Sequence, residues 1–341
     1  MNLKNLNANK IPRLLREKLI NKRISHLFNL FEKEFDVKNS FVVAVSGGPD
    51  SLALAFLTKI YSIKNKLSCN YIIIDHKLRK ESTKEAKQVK KILNKFNIKS
   101  EILTWFGKKP VKNIQSLARK KRYELLFSKC DKLKINYLVL GHHLDDMSEN
   151  FFIRMTRGSG LKGLVSLEKE TKIKNISLIR PLLEFNKRDL EFISNFVFNF
   201  FIIDPSNEDT KYTRIRIRKM INELSNNGFD KKKFFLTIKN LKRSNQVLNY
   251  YVERNKKLNS FFNKDQKELI LKKNFFHQPY EIIFRSISDS IKLIGGKYNA
   301  VRGKKIDFIL EKIGQKGFKK ETLGGCVLKK VNQTVIIYKE C

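Results

Sequence analysis

Short apolar runs alternate with helical periodicities through the first half of the chain. Residues 41–45 (FVVAV) are a β-branched apolar run that reads as a buried strand, and residues 51–57 (SLALAFL) open a buried helix behind it. Residues 71–74 (YIII) predict a second strand, which ends in Asp75-His76. Ser82 and Glu85 have the spacing of a helix capping box, and Ala86, Val89, Ile92, Leu93 and Phe96 then recur on one helical face. Residues 101–105 predict a third strand, and Ile114, Leu117, Ala118, Leu125 and Leu126 mark the next helix. A fourth strand at 137–140 (YLVL) runs into Gly141-His142-His143. This βαβα order predicts an α/β fold with a doubly wound parallel sheet. Ligands of such sheets bind at the carboxyl ends of the strands, where Ser46, Asp75 and His142 all fall.

Downstream the pattern changes. Gly158-Ser159-Gly160 through Gly163 predicts a flexible loop, and a smaller strand-and-helix section follows through Arg180-Pro181 to residues 201–204. Residues 211–260 hold 14 Lys/Arg against only Glu223, Asp230 and Glu253, with Leu236, Leu241, Val247, Tyr250 and Tyr251 on a helical apolar face. The last part ends in two strand-like runs, 326–330 and 334–338, joined by a polar turn. The expected organisation is a basic N-terminal helix over 1–40, a catalytic domain over 41–220, a basic helical linker over 221–265 and a small α+β domain over 266–341. No internal repeat is evident.

Charge sharpens this picture. Among 341 residues, 71 Lys/Arg stand against 33 Asp/Glu, a formal net charge of +38. Such an excess calls for a polyanionic partner, nucleic acid first and an anionic membrane surface second. No apolar run approaches the ~18 residues that a membrane-spanning helix needs. Cys69, Cys130, Cys326 and Cys341 are isolated, with no C-x-x-C pair, which fits a reducing compartment such as the cytoplasm. The first 25 residues are basic but lack the continuous apolar core of a secretory signal; an organellar matrix or stroma stays open as a location.

The turn Ser46-Gly47-Gly48-Pro49-Asp50-Ser51 joins the first strand to the first helix. Backbone N–H groups and the positive end of the helix dipole meet there, glycines admit an anion close to the backbone, and two hydroxyls add donors. It lacks the lysine of a Walker A loop and the G-x-G-x-x-G of dinucleotide sites; a ligand-free glycine turn is the bland alternative. Residues 141–150 (GHHLDDMSEN) open a helix after the fourth strand. Asp146 and Glu149 share a face of it, and with Asp50 they make an acidic pocket in a basic protein, suited to a metal, a cationic amine or both. N-capping accounts for one of the acids. His142 and His143 have neither a Cys nor a third His nearby to complete a zinc site. Gln115-x-x-x-Arg119-x-x-Arg122-Tyr123 places two arginines on one helix face, and in Arg214-x-Arg216-x-Arg218 the outer pair aligns at helical spacing. Guanidinium forks suit phosphate recognition, and structural salt bridges are an equal alternative.

Taken in order, SGGPDS after a strand, Asp75-His76-Lys77-Leu78-Arg79, Gln115…Arg119…Arg122-Tyr123, the His-His-x-Asp-Asp-x-x-Glu helix, Arg157-Gly158-Ser159-Gly160, Arg180-Pro181-Leu182-Leu183 and Asp204-Pro205-Ser206-Asn207…Arg214-x-Arg216-x-Arg218 form a set. That set resembles the tRNA(Ile)-lysidine synthase family of PP-loop ATP pyrophosphatases, closely over about 40–220 and more loosely to Thr322-Leu323-Gly324-Gly325-Cys326. The resemblance implies ATP and Mg²⁺ as cofactors. Ser46, Gly47, Gly48, Pro49, Asp50, Ser51, Asp75, His76 and Arg119 would bind the nucleotide, with Asp50 as the Mg²⁺ partner. It implies catalytic roles for Asp50, Asp146 and Glu149, and lysine or tRNA contacts for Asp145, Asp146, Glu149, Arg214, Arg216 and Arg218. The implied reaction adenylates the wobble cytidine of a CAU anticodon and then joins lysine to its 2-carbon, changing the codon read from AUG to AUA. The implied partners are tRNA(Ile) with a CAU anticodon and L-lysine, with no membrane; a homodimer stays open. Met147 and Asn150 stand where the family usually has Gln and Thr, and Lys77 where it has Gly. Two other readings remain: another PP-loop tRNA-modifying enzyme, and a catalytically silent RNA-binding protein.

Overall fold

The computed structural model describes residues 11–107, 114–203, 209–296, 301–315 and 317–340. The chain divides into two compact units, residues 1–231 and 232–341. The division falls within the basic stretch 221–265. No helix among the described residues is long and apolar enough to cross a membrane.

In the first unit the basic N-terminal segment forms two helices, α1 (Arg13–Leu19) and α2 (Lys22–Glu34). Asn21 separates them, its side-chain oxygen accepting the N–H groups of Arg23 and Ile24 to cap α2. Leu15, Ile24, Phe28 and Phe31 are fully buried and join the main core. The alternation then runs β1 (Phe41–Val45), α3 (Pro49–Lys64), β2 (Cys69–Asp75), α4 (Ser82–Lys95), β3 (Ser100–Thr104), α5 (Ile114–Leu133), β4 (Tyr137–Val139) and α6 (Leu144–Met155). The glycine loop expected to be flexible contains a short helix, α7 (Leu161–Leu164). A hairpin of β5 (Glu170–Ile173) and β6 (Ile176–Ile179) follows, then α8 (Lys187–Phe198) and α9 (Thr213–Asn226).

The strands form one sheet in the order β3-β2-β1-β4-β6-β5. All neighbouring pairs are parallel except β5 with β6. The sheet is thus doubly wound as expected, with an antiparallel edge added by a hairpin whose alternation was too short to read. β1 lies in the interior of the sheet, which is why its sequence is an unbroken apolar run. Helix α3 is likewise buried from Ser51 to Thr58.

Close packing fixes the turn after β1. Gly47 has φ +90°, and a Cβ there would stand 2.6 Å from Val89 Cγ2 of α4 and 2.9 Å from Ile202 Cδ1. Gly141, at the end of β4, lies so near the first turn of α3 that a Cβ would be 3.3 Å from the Asp50 carbonyl. These two glycines let β1, β4 and α3 converge on a single point.

The second unit opens with most of α10 (Lys231–Asn259) and continues through β7 (Ser260–Asn263), β8 (Glu268–Leu271), α11 (Tyr280–Gly295), α12 (Gly303–Gly314), β9 (Lys320–Leu323), β10 (Cys326–Val331) and β11 (Thr334–Lys339). Its sheet is antiparallel, ordered β7-β8-β11-β10-β9, so three strands join the two that the pattern showed. Leu271, Phe275, Ile287, Ile291 and Ile306 form its core. Buried Arg285 donates to Asn245 Oδ1 at 2.7 Å and ties α11 to α10.

Replacing Gly47 by Ala combines an unfavourable φ with a steric clash. We expect about 1–3 kcal/mol of lost stability, measured as a lower urea midpoint with unchanged slope.

Candidate active site

The SGGPDS turn is ordered from within. Ser51 Oγ accepts the N–H groups of Ser46 and Gly47, both at 3.1 Å, and donates to the Gly48 carbonyl at 2.9 Å. Pro49 occupies the first turn of α3, and no side chain caps that helix. The remaining donors and the dipole of α3 therefore face the rim of the sheet. Asp50 sits in the first turn. Its Oδ1 is buried with no hydrogen-bond partner, and its Oδ2 lies 3.7 Å from His143 Nε2. Burial raises the Asp50 carboxyl above its ordinary value; His143 opposes that shift and Asp146 adds to it.

Helix α6 carries the other acids. His143 caps it, with Nδ1 accepting the Asp145 N–H at 3.2 Å, while Asp146 accepts the His143 N–H at 3.1 Å in a capping box. With Nδ1 turned to that N–H, Nε2 faces the carboxylates and stands 3.7 Å from Asp50 and 3.6 Å from Asp146. One imidazole thus lies between the Asp50 carboxylate of α3 and the Asp146 carboxylate of α6. Burial would raise the Asp146 carboxyl, but His143, His142 and Arg214 outweigh it and hold it below the usual carboxylate value. His142 is driven the other way. Burial, reinforced by Arg180, Arg119 and Arg122, lowers it to about 3, so it is a neutral imidazole at physiological pH.

Glu149 is the most buried of the acids, 1% exposed. Arg218 Nε donates to its Oε1 at 2.7 Å, and Arg214 Nε lies 3.1 Å from Oε2, an ion pair outside hydrogen-bond alignment. Arg214 and Arg218 are four apart on α9 and reach the same carboxylate. Arg216 points elsewhere: it is exposed and donates to the carbonyls of Thr210 and Lys211. Of the three arginines expected to contact lysine or tRNA, Arg214 and Arg218 face the α6 acids and Arg216 faces solvent. The 3.6-residue period turns Arg216 to the opposite face, between buried Ile215 and Ile217. Asp145 pairs with Lys231 at 3.3 Å.

Asp75 lies at the rim, but its carboxylate is engaged. It accepts from Ser82 Oγ at 2.8 Å, Thr83 Oγ1 at 2.6 Å and the Lys77 N–H at 3.0 Å, and its carbonyl accepts the Trp105 N–H. Burial would raise this carboxyl; the hydrogen bonds outweigh it and hold it low. Asp75 therefore orders the β2–α4 turn. His76 beside it is lowered by burial and by Arg122, and its Nδ1 is buried without a partner. Arg119 is exposed, with its guanidinium 5.2 Å from the Tyr123 ring centre. Residues 204–208, which include Asp204-Pro205-Ser206-Asn207, lie outside the described residues, as does the Gln115 side chain.

A cleft of about 290 Å³ opens beside these groups. Asp145, Glu149 and Glu191 line it together with Lys187, Arg218 and Lys231. Sequence reading missed His143 as the bridge and missed α8's Lys187 and Glu191. The first had a signal, an N-cap position just before two acids. The second is an i, i+4 surface pair like many others. Removing one arginine leaves Glu149 under-compensated: Arg218→Gln is expected to cost about 1–3 kcal/mol, and adding Glu149→Gln should recover part of it in a double-mutant cycle. His142 binds its proton more weakly folded than unfolded, so its contribution is complete above its ordinary value of 6.5 and is lost as pH falls toward about 3. In His142→Asn, unfolding free energy against pH should lose up to about 1.4 kcal/mol per pH unit of slope across that window.

The PP-loop domain family matches residues 17–224. The tRNA(Ile)-lysidine synthase of Orientia tsutsugamushi (strain Boryong) is 34% identical over 318 residues, covering 90% of this chain and 71% of that protein. The enzyme of the same name from Wolbachia pipientis wMel is 34% identical over 307 residues, covering 89% and 71%. Among solved structures, the U34-tRNA thiolase NcsA from Methanococcus maripaludis superimposes with a TM-score of 0.55 at 17% identity, covering 65% of this chain and 78% of that one, a likeness of fold. A PP-loop domain over residues 17–224, with relatives a third identical along nine-tenths of its length, makes this chain a member of the tRNA(Ile)-lysidine synthase family.

Proposed function

We propose that the chain joins lysine to the 2-carbon of the wobble cytidine in the CAU anticodon of tRNA(Ile), using ATP and releasing AMP and diphosphate. The observation that carries this reading is the meeting of two helix N-termini: that of α3, with an anion-binding turn and a buried, unpartnered Asp50 oxygen, and that of α6, with the His143–Asp146 pair. ATP phosphates fit the donors of residues 46–51. A hard cation fits Asp50, since Mg²⁺ is usually held by one or two carboxylates plus substrate phosphates. No group of three His, Cys, Asp or Glu among the described residues forms an all-protein metal site. Bound there, Mg²⁺ would supply charge neutralisation at the phosphates.

The chemistry then follows from position and charge. The cytidine 2-carbonyl oxygen attacks the α-phosphate, the bond to the bridging oxygen breaks, and diphosphate leaves. The lysine ε-amine next attacks the activated 2-carbon and AMP leaves with the electron pair of the broken C–O bond. An ammonium must lose a proton before it attacks, and we assign Asp146, whose Oδ2 accepts the His143 N–H, to receive it on its way to solvent. The cleft already holds a primary ammonium: Lys231 on Asp145 is the contact an incoming lysine side chain would make. Glu149 acts through Arg214 and Arg218, holding two guanidiniums at the site. A cytoplasmic location agrees with a tRNA substrate.

Labelled lysine, ATP and Mg²⁺ with purified protein should label an isoleucine tRNA carrying CAU and spare methionine tRNA with the same anticodon. Absence of label with diphosphate still released would move the substrate elsewhere among PP-loop enzymes. Asp145→Asn should raise the KM for lysine about tenfold while diphosphate release in single turnover stays near wild type. Asp50 must be ionised to work, and burial raises it, so activity should fall on the acid side at a pH above the ordinary carboxylate value of 3.8.

A further inference from the structure

Helix α4 carries a feature that this reading does not use. Its Ala86, Val89 and Leu93 turn into the core. Its outer face, with the turn that leads into the helix, presents Lys80, Lys84, Lys87 and Lys91, which line a shallow groove of about 490 Å³ with Thr83 and Gln88. Among the described residues no carboxylate pairs with any of the four lysines, and Glu85 on the same helix is taken by Arg79 at 2.9 Å. A face that serves only solubility interleaves both signs, because like charges three or four residues apart repel. Here Lys84, Lys87 and Lys91 span about 10 Å of helix at 1.5 Å per residue with no acid between them on that face.

The groove begins at the rim of the sheet. Thr83 lines it and donates to Asp75 at the carboxyl end of β2. Two residues on, Lys77 holds a left-handed φ of +49°, and its Nζ stands 4.7 Å over the ring of Phe106, just past the end of β3. Phe106 is 86% exposed, a large aromatic ring left in water at the rim of the sheet. A basic track that ends at an exposed aromatic ring is the arrangement that binds single-stranded nucleic acid, with lysines on phosphates and a base on the ring.

We propose that the α4 groove carries the phosphate backbone of the tRNA strand flanking the wobble nucleotide, and that Phe106 stacks an unpaired base of that loop. The inference rests on a tRNA substrate for the site. Its test compares wild type with the combined variant K80Q/K84Q/K87Q/K91Q, with a control that removes the same charge from exposed Lys33, Lys132, Lys134 and Lys174, and with F106A. Affinity for a CAU-bearing tRNA(Ile) transcript is measured against salt concentration, with equal melting temperatures as the folding check.

The groove variant should bind about tenfold or more weakly and lose about 3 from the slope of log K against log salt, as four single-strand phosphate contacts require. The control should lose less than about 1. F106A should weaken binding without changing the slope. A groove variant indistinguishable from wild type or from the control overturns the proposal. Lysine ligation by the wild type, run on the same transcript, tests the substrate reading separately: ligation with unaffected binding in the groove variant overturns the groove alone. Loss of binding in that variant without ligation by the wild type supports an RNA track and overturns the lysidine reading.

Discussion

A carboxylate taken almost wholly out of water must be answered by cations, and Glu149 imposes that requirement on the first unit. At 1% exposure it draws Arg214 and Arg218 of α9 across to α6. That contact determines where α9 lies, and with it one wall of the cleft, since Arg218 and Ile221 both line it. Breaking such a pair costs far more than forming it gains, because the partner left behind stays buried and charged. The pairing is therefore better understood as a device that fixes geometry than as a source of net stability.

Around that anchor the site is an acidic island in a strongly basic chain. Asp50, Asp145 and Asp146 come from two helix first turns, where backbone dipoles favour carboxylates, and Glu149 follows one turn further along α6. Their environments separate them. Asp50 is raised by burial, Asp146 is lowered by two histidines and Arg214, and Asp75 is lowered by three hydrogen bonds. His143 stands between the first two, its Nε2 3.7 Å from Asp50 and 3.6 Å from Asp146. Groups that differ in this way can divide the labour of phosphate positioning, proton acceptance and local ordering with no covalent nucleophile.

Much of this was legible in the linear chain, for identifiable reasons. A strand buried on both faces reads as an unbroken apolar run, so β1 was plain; the turn after it announced itself because only small residues tolerate that close approach. The β5–β6 hairpin was missed because both strands have only four residues, and β5, with alternate positions exposed, resembles any polar loop. The same shortness hid β7, β8 and β9. Among the candidate site residues, Arg214 and Arg218 were legible from their spacing, whereas Arg216 belonged to the same written motif and to the opposite helix face. Asp75 was correctly placed on the rim, but its hydrogen bonds to Ser82 and Thr83 depend on how the β2–α4 turn closes.

The sequence alone determined the order of elements, the anion-binding turn, the acids of α6 and the expectation of a polyanionic partner, because each is a local property of spacing, residue type or charge. Tertiary structure decided which of those groups meet. The His143 bridge, the capture of Glu149 by α9, the placing of Lys231 on Asp145 and the run of the α4 lysines away from the rim all depend on packing between distant segments. Hydrophobic periodicity says which face of an element is buried; it does not say against what.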